Sequence, residues 1–85
     1  MSKYYNDSPL QEIMNNYIYA SKLFNEKYKN IYQIRVFIDF NFLNIFLDNL
    51  KNNTYTKVQI LNNEINDLSY EIILKAYEDL IKKVY

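Results

Sequence analysis

The chain of 85 residues holds no histidine, cysteine, glycine or tryptophan, and only one proline and one arginine. Without His and Cys it lacks the usual neutral-pH general base, the commonest metal ligands and the thiolate nucleophile, and no disulfide can form. The composition points away from catalysis, so no catalytic, metal-ligating or cofactor-binding residue is assigned and no cofactor is expected. Without Gly, neither a phosphate-cradling loop nor a dinucleotide fingerprint can be built. Turn positions of positive φ fall to Asn, the next most tolerant residue, which makes Asn30, Asn52, Asn53, Asn62 and Asn63 the expected punctuation. Apolar runs are broken by Asp39, Asn41 and Asn44 and fall short of the ~18 residues that span a bilayer. The opening MSKYYNDSPL lacks the basic and apolar regions of a secretory signal, and a cytoplasmic location is the resulting expectation.

What is present is dominated by six residue types. Phe, Tyr, Met, Ile, Asn and Lys make up 50 of the 85 residues, all encoded by A/T-rich codons. The source expected from this is an A/T-rich genome: a low-GC bacterium, its phages or an archaeal virus. A 49% hydrophobic share with 24% charge is globular. Residues 1–85 are read as one domain with a single core, residues 1–7 being disordered or adding a short extra strand. So short a chain buries only about 60–65% of its unfolded surface, and its stability is marginal.

Periodicity places the elements. Ser8, Pro9 and Gln11 form a capping box with proline at the first helical position, which predicts a helix over Pro9–Lys29 ended by Asn30. Its inward face is Leu10, Ile13, Met14, Tyr17, Ser21, Phe24 and Tyr28. From Tyr32 to Phe40 apolar residues alternate with Gln33, Arg35 and Asp39, which predicts a half-buried strand. From Asn41 the residues Phe42, Leu43, Phe46, Leu47 and Leu50 make a helical stripe, predicting a second helix with Phe42, Phe46 and Leu50 buried together. Thr54–Leu61 reads as a second, more exposed strand, and a last helix starts at Asp67 or Ser69. The expected fold is thus a small α+β domain of order α-β-α-β-α, its sheet covered by helices and completed by Lys3–Asn6, by Glu64–Asn66 or by a second protomer. A three-helix bundle is the alternative.

Function is read from the residues this arrangement leaves over. Tyr19 and Leu23 point away from the core side of the first helix, Phe37 and Tyr55 lie on the outer sheet face, and Tyr70, Leu74 and Ile81 widen the apolar side of the last helix. These seven are candidates for protein binding, and the surplus breadth together with an open strand edge predicts a homodimer. Lys22, Lys27, Tyr28, Lys29 and Arg35 interleave cations with aromatic rings, the pattern of a nucleic-acid-binding regulator. Zero net charge and a single Arg weigh against that alternative. Asp39 is expected to be structural, capping the second helix or pairing with Arg35, rather than to join Glu64 or Asp67 around Mg²⁺. The functional expectation is a non-catalytic inhibitor or modulator of a protein partner, encoded by a phage, virus or mobile element, for instance an anti-defence or anti-CRISPR type inhibitor. An immunity protein or antitoxin would present the same features.

Overall fold

In the computed structural model, which describes residues 3–84 and the side chains of residues 11–84, two helices pack on one face of a three-stranded antiparallel sheet. The elements are α1 (Lys3–Lys27), β1 (Tyr32–Ile38), β2 (Phe42–Asn49), β3 (Thr54–Leu61), a 3₁₀ turn (Asn62–Glu64) and α2 (Tyr70–Val84). Strand order is β1-β2-β3. The fold is α+β and not a helical bundle, but its order is α-β-β-β-α. The third strand comes from the segment expected to be the second helix, not from residues 3–6 or 64–66. Phe42–Asn49 satisfies both periods: Phe42, Leu43, Phe46 and Leu47 fit a helical stripe, while Leu43, Ile45 and Leu47 fit a strand face. Pairing decides between them, because short hairpins bring β1 and β3 to both of its edges and local preference yields to the ladder. Among the described residues no helix is long and apolar enough to cross a membrane.

The helix α1 begins at Lys3, upstream of the expected cap at Ser8. Pro9, expected at the first helical position, falls inside this 25-residue helix. Residues 1–2 and the side chains of Ser8 and Leu10 lie outside the described residues. The helix ends at Lys27, and Asn30 turns the chain with φ 70° as its type predicts. Met14, Tyr17, Ala20, Ser21 and Phe24 are buried on its inner side. Asn25 then does something the sequence did not suggest: its amide accepts from Ile34 N (2.7 Å) and donates to Ile34 O (3.1 Å), pairing the outer edge of β1 as a neighbouring strand would.

The core is closed by α2. Ser69 caps it, accepting at its Oγ from Ile72 N (3.4 Å), and Ile73 and Tyr77 are buried against Phe24, Ile34, Leu43 and Leu47. The Tyr77 hydroxyl donates to Tyr17 O at 3.0 Å, which satisfies a buried polar group and ties α2 to α1. Burial pushes the Tyr77 pKa well above its usual value. Glu78, half-buried on α2, accepts from Lys27 Nζ (2.6 Å) and from the Tyr28 hydroxyl (2.9 Å). The Lys27 bond is the largest cause holding the Glu78 carboxyl below its ordinary pKa.

Candidate functional site

Because α1 and α2 lie on the face formed by Ile34, Leu43, Ile45 and Leu47, the opposite face of the sheet has no helix over it among the described residues. Strand alternation and the register put its side chains in rows: Gln33, Asp48 and Tyr55; Arg35, Phe46 and Lys57; Phe37, Asn44 and Gln59; then Phe42 and Leu61. Phe46 is the hub. Its ring centroid lies 5.8 Å from Phe37 in an edge contact and 5.7 Å from Tyr55, with the Arg35 guanidinium at 4.6 Å and Lys57 Nζ at 5.6 Å. Phe37 is 51% exposed and Tyr55 63%. Rings held at such distances are pre-positioned, so a partner would meet aromatic area that loses little entropy on contact.

Charge on this face is largely compensated within it. Arg35 donates two bonds to Asp48, Nε to Oδ2 at 2.6 Å and a terminal nitrogen to Oδ1 at 2.8 Å, in the bidentate geometry that suits guanidinium and carboxylate. That bond raises the Arg35 pKa above its usual value. Asn44, buried between strands, accepts from Gln59 Nε2 (2.9 Å) and donates to Asp39 Oδ2 (3.0 Å). The row is therefore a hydrogen-bonded frame around the rings.

Asp39 holds the end of this face. Its Oδ1 accepts from the backbone N–H groups of Asn41 (2.9 Å) and Phe42 (2.7 Å), closing the β1–β2 turn. Neither expected partner of Asp39 is found: there is no helix for it to cap, and Arg35 pairs with Asp48 because the diagonal cross-strand neighbour lies nearer than a residue four along the same strand. The Asn44 bond, then those from Phe42 and Asn41, hold the Asp39 carboxyl below its ordinary pKa. Asn62 donates to Phe40 O (3.0 Å) from the other side. Between these clamps Phe40 stands 94% exposed, an aromatic ring on a fixed turn. Among the described residues no group of three acidic side chains is placed to hold a metal ion.

The candidate residues separate into three places. Phe37 and Tyr55 meet through Phe46 on the outer sheet face. Tyr19 and Tyr70 meet in an edge contact at 4.9 Å on the seam between helices, with Leu23 half-buried on α1. Leu74 and Ile81 pack partly buried against the core, so the breadth of α2 serves two internal neighbours. The five residues considered for nucleic acid are not brought together: Lys27 and Tyr28 share Glu78 on the helical side, Lys22 and Lys29 are exposed, and Arg35 faces the other way with Asp48. Phe42 and Phe46 are half-buried on the outer face and Leu50 is exposed, so they do not form the common buried cluster expected of a helix. Phe40 and Phe46 were missed as surface residues because Phe40 continues the alternation of β1 and Phe46 fits a helical stripe. The signal that could have found them is Asp39 and Asn41, two turn formers bracketing Phe40 between alternating runs. No family model matches the chain, and neither a curated protein sequence nor a solved structure matches it.

Proposed function

We propose that this chain is a non-catalytic protein-binding domain that inhibits or modulates its partner by docking the outer face of its sheet. The observation that carries this reading is the helix-free sheet face on which Phe37, Phe46 and Tyr55 form a joined row of rings, with Phe40 fixed and exposed at its end. Aromatic anchors held rigidly, surrounded by polar side chains that already satisfy one another, are the composition of an interface centre and rim. The lack of His and Cys supports binding rather than reaction. Small size and an A/T-rich composition support an origin in a phage, virus or mobile element of an A/T-rich host, acting in that host's cytoplasm.

A nucleic-acid reading has one observation in its favour, the Arg35 and Lys57 cations over the Phe46 ring between two exposed aromatics. Stacking platforms of single-strand binders combine such rings with a positive groove. Asp48 neutralises Arg35, which leaves Lys57 as the unpaired cation among the described residues of those rows. Protein binding is the better fit. The test is affinity capture from host extract with nuclease digestion, comparing the wild type with Phe37→Ser, Phe40→Ser and Tyr55→Ser. Retention of one protein after digestion and its loss in the variants supports the reading. Retention that vanishes with nuclease, or that ignores all three variants, overturns it.

A further inference from the structure

The two edges of the sheet are treated differently. Residues 31 and 50 and residues 39 and 42 are bonded across β1 and β2, and Asn62 N donates to Asn41 O across β2 and β3 (2.9 Å). Antiparallel alternation from these bonds turns Thr56, Val58 and Ile60 toward β2, and it directs the backbone groups of Tyr55, Lys57 and Gln59 and the N–H of Leu61 away from the sheet. On β1 the same alternation turns Tyr32, Ile34, Val36 and Ile38 outward, and α1 and the turn after it cover the first two: Tyr32 N donates to Tyr28 O (3.0 Å) and Asn25 takes both backbone groups of Ile34. On β3 no described residue bonds to the outward groups. The helical side of this strand is also incompletely covered: an apolar groove of about 380 Å³ runs between α2 and β3, with Val58, Ile60, Ile73 and Leu80 on its walls.

We infer that β3 pairs antiparallel with β3 of a second copy, making one continuous six-stranded sheet about a twofold axis at Val58. The register follows from the side chains. Hydrogen-bonded pairs across the junction must join outward-turned residues, and a twofold on Lys57, on Val58 or on Gln59 pairs at least three of the four. Centred on Lys57, it sets two ammonium groups directly opposite, which is destabilising. Centred on Gln59, the outward groups of Tyr55 find no partner. Centred on Val58, it sets Lys57 opposite Gln59 of the partner subunit and Tyr55 opposite Leu61 of the partner subunit. On the helical side Val58 meets its own copy and Thr56 meets Ile60 of the partner subunit, adding apolar cover beside the groove. An exposed strand edge needs such a partner or a deterrent; here Lys57 selects the register instead of blocking the edge. The outer faces of both copies stay open and join edge to edge, so this inference is independent of the docking reading above.

Sedimentation equilibrium of the full chain across the micromolar range tests it, with Gln59→Glu and Gln59→Lys as variants and circular dichroism as the check on folding. A reversible wild-type dimer is expected. Gln59→Glu places carboxylates opposite both Lys57 residues and tightens the dimer, while Gln59→Lys sets like charges there and weakens it, each by roughly two- to thirtyfold for two symmetry-related pairs. The bond that Gln59 donates to Asn44 is lost in Gln59→Glu, whereas a lysine can still donate there, so thermal melting of each variant accompanies the mass measurement and only variants that melt near the wild type are compared. A wild type that stays monomeric overturns the inference, as does a dimer that responds alike to both charges. A monomer that still captures a protein through Phe37 and Tyr55 overturns the pairing alone.

Discussion

Asn25 and Ile34 form a two-bond pair in which a helix side chain takes the place of a strand. The amide reaches both backbone groups of a residue that is only 2% exposed, at 2.7 and 3.1 Å. One residue thus docks α1 on the sheet and covers the β1 edge at Ile34.

Replacing that amide leaves Ile34 N–H and C=O without partners. Asn25→Ala is expected to cost roughly 1–3 kcal/mol, the penalty of orphaning buried polar groups. In a domain of this length each 1 kcal/mol lowers Tm by roughly 4–8 °C. Thermal melting checks it, and amide exchange at Ile34 should accelerate more than at Leu47.

The two faces of β2 give a second expectation. Leu43 is fully buried under the helices, and Leu43→Ala should cost about 2–5 kcal/mol. Phe46 is half-buried on the other face, where truncation removes ring contacts without opening a core cavity. Phe46→Ala should cost about 1–2 kcal/mol, from half a ring's burial and its edge contacts. Urea denaturation of the two variants tests the order, which a helical β2 segment with Phe46 in the core would reverse.

Much of this was legible before the structure. The inner face of α1, the turn at Asn30, the Tyr32 strand, the bounds of β3 and a start of α2 at one of two caps, Asp67 or Ser69, all rest on local patterns: a stripe, an Asn in a Gly-free chain, an alternation, a cap. Phe42–Asn49 was not legible, because eight residues that satisfy two periods are assigned by their neighbours and not by themselves. Of the candidate site, Phe37 and Tyr55 were readable as outward residues of strands. Phe46, Phe40 and the Arg35–Asp48 pair depend on the register that the misassigned segment sets, so they followed its error.

Acid should act on the β1–β2 turn through Asp39. Its folded pKa is depressed, so its contribution is fully present above the unfolded value of about 3.9 and is lost as pH falls through the lower folded value. In Asp39→Asn the amide cannot accept from Asn44 with its nitrogen, and the variant should be less stable than the wild type at neutral pH. The gap should narrow below pH ~4 as the wild-type carboxylate protonates. Paired denaturation curves at pH 7 and pH 3 check the sign, and a gap that widens in acid would contradict it.

The central claim, that the outer sheet face docks a protein, is tested most directly by site-specific photocrosslinking in host extract. p-Benzoylphenylalanine replaces Phe40 or Tyr55 in one pair of proteins and the helix residues Ile72 or Lys75 in another, all four positions being exposed. The account predicts a discrete, nuclease-resistant protein adduct from Phe40 and Tyr55 and none from Ile72 and Lys75. Adducts confined to the helix positions, or adducts to nucleic acid at the sheet positions, would contradict it.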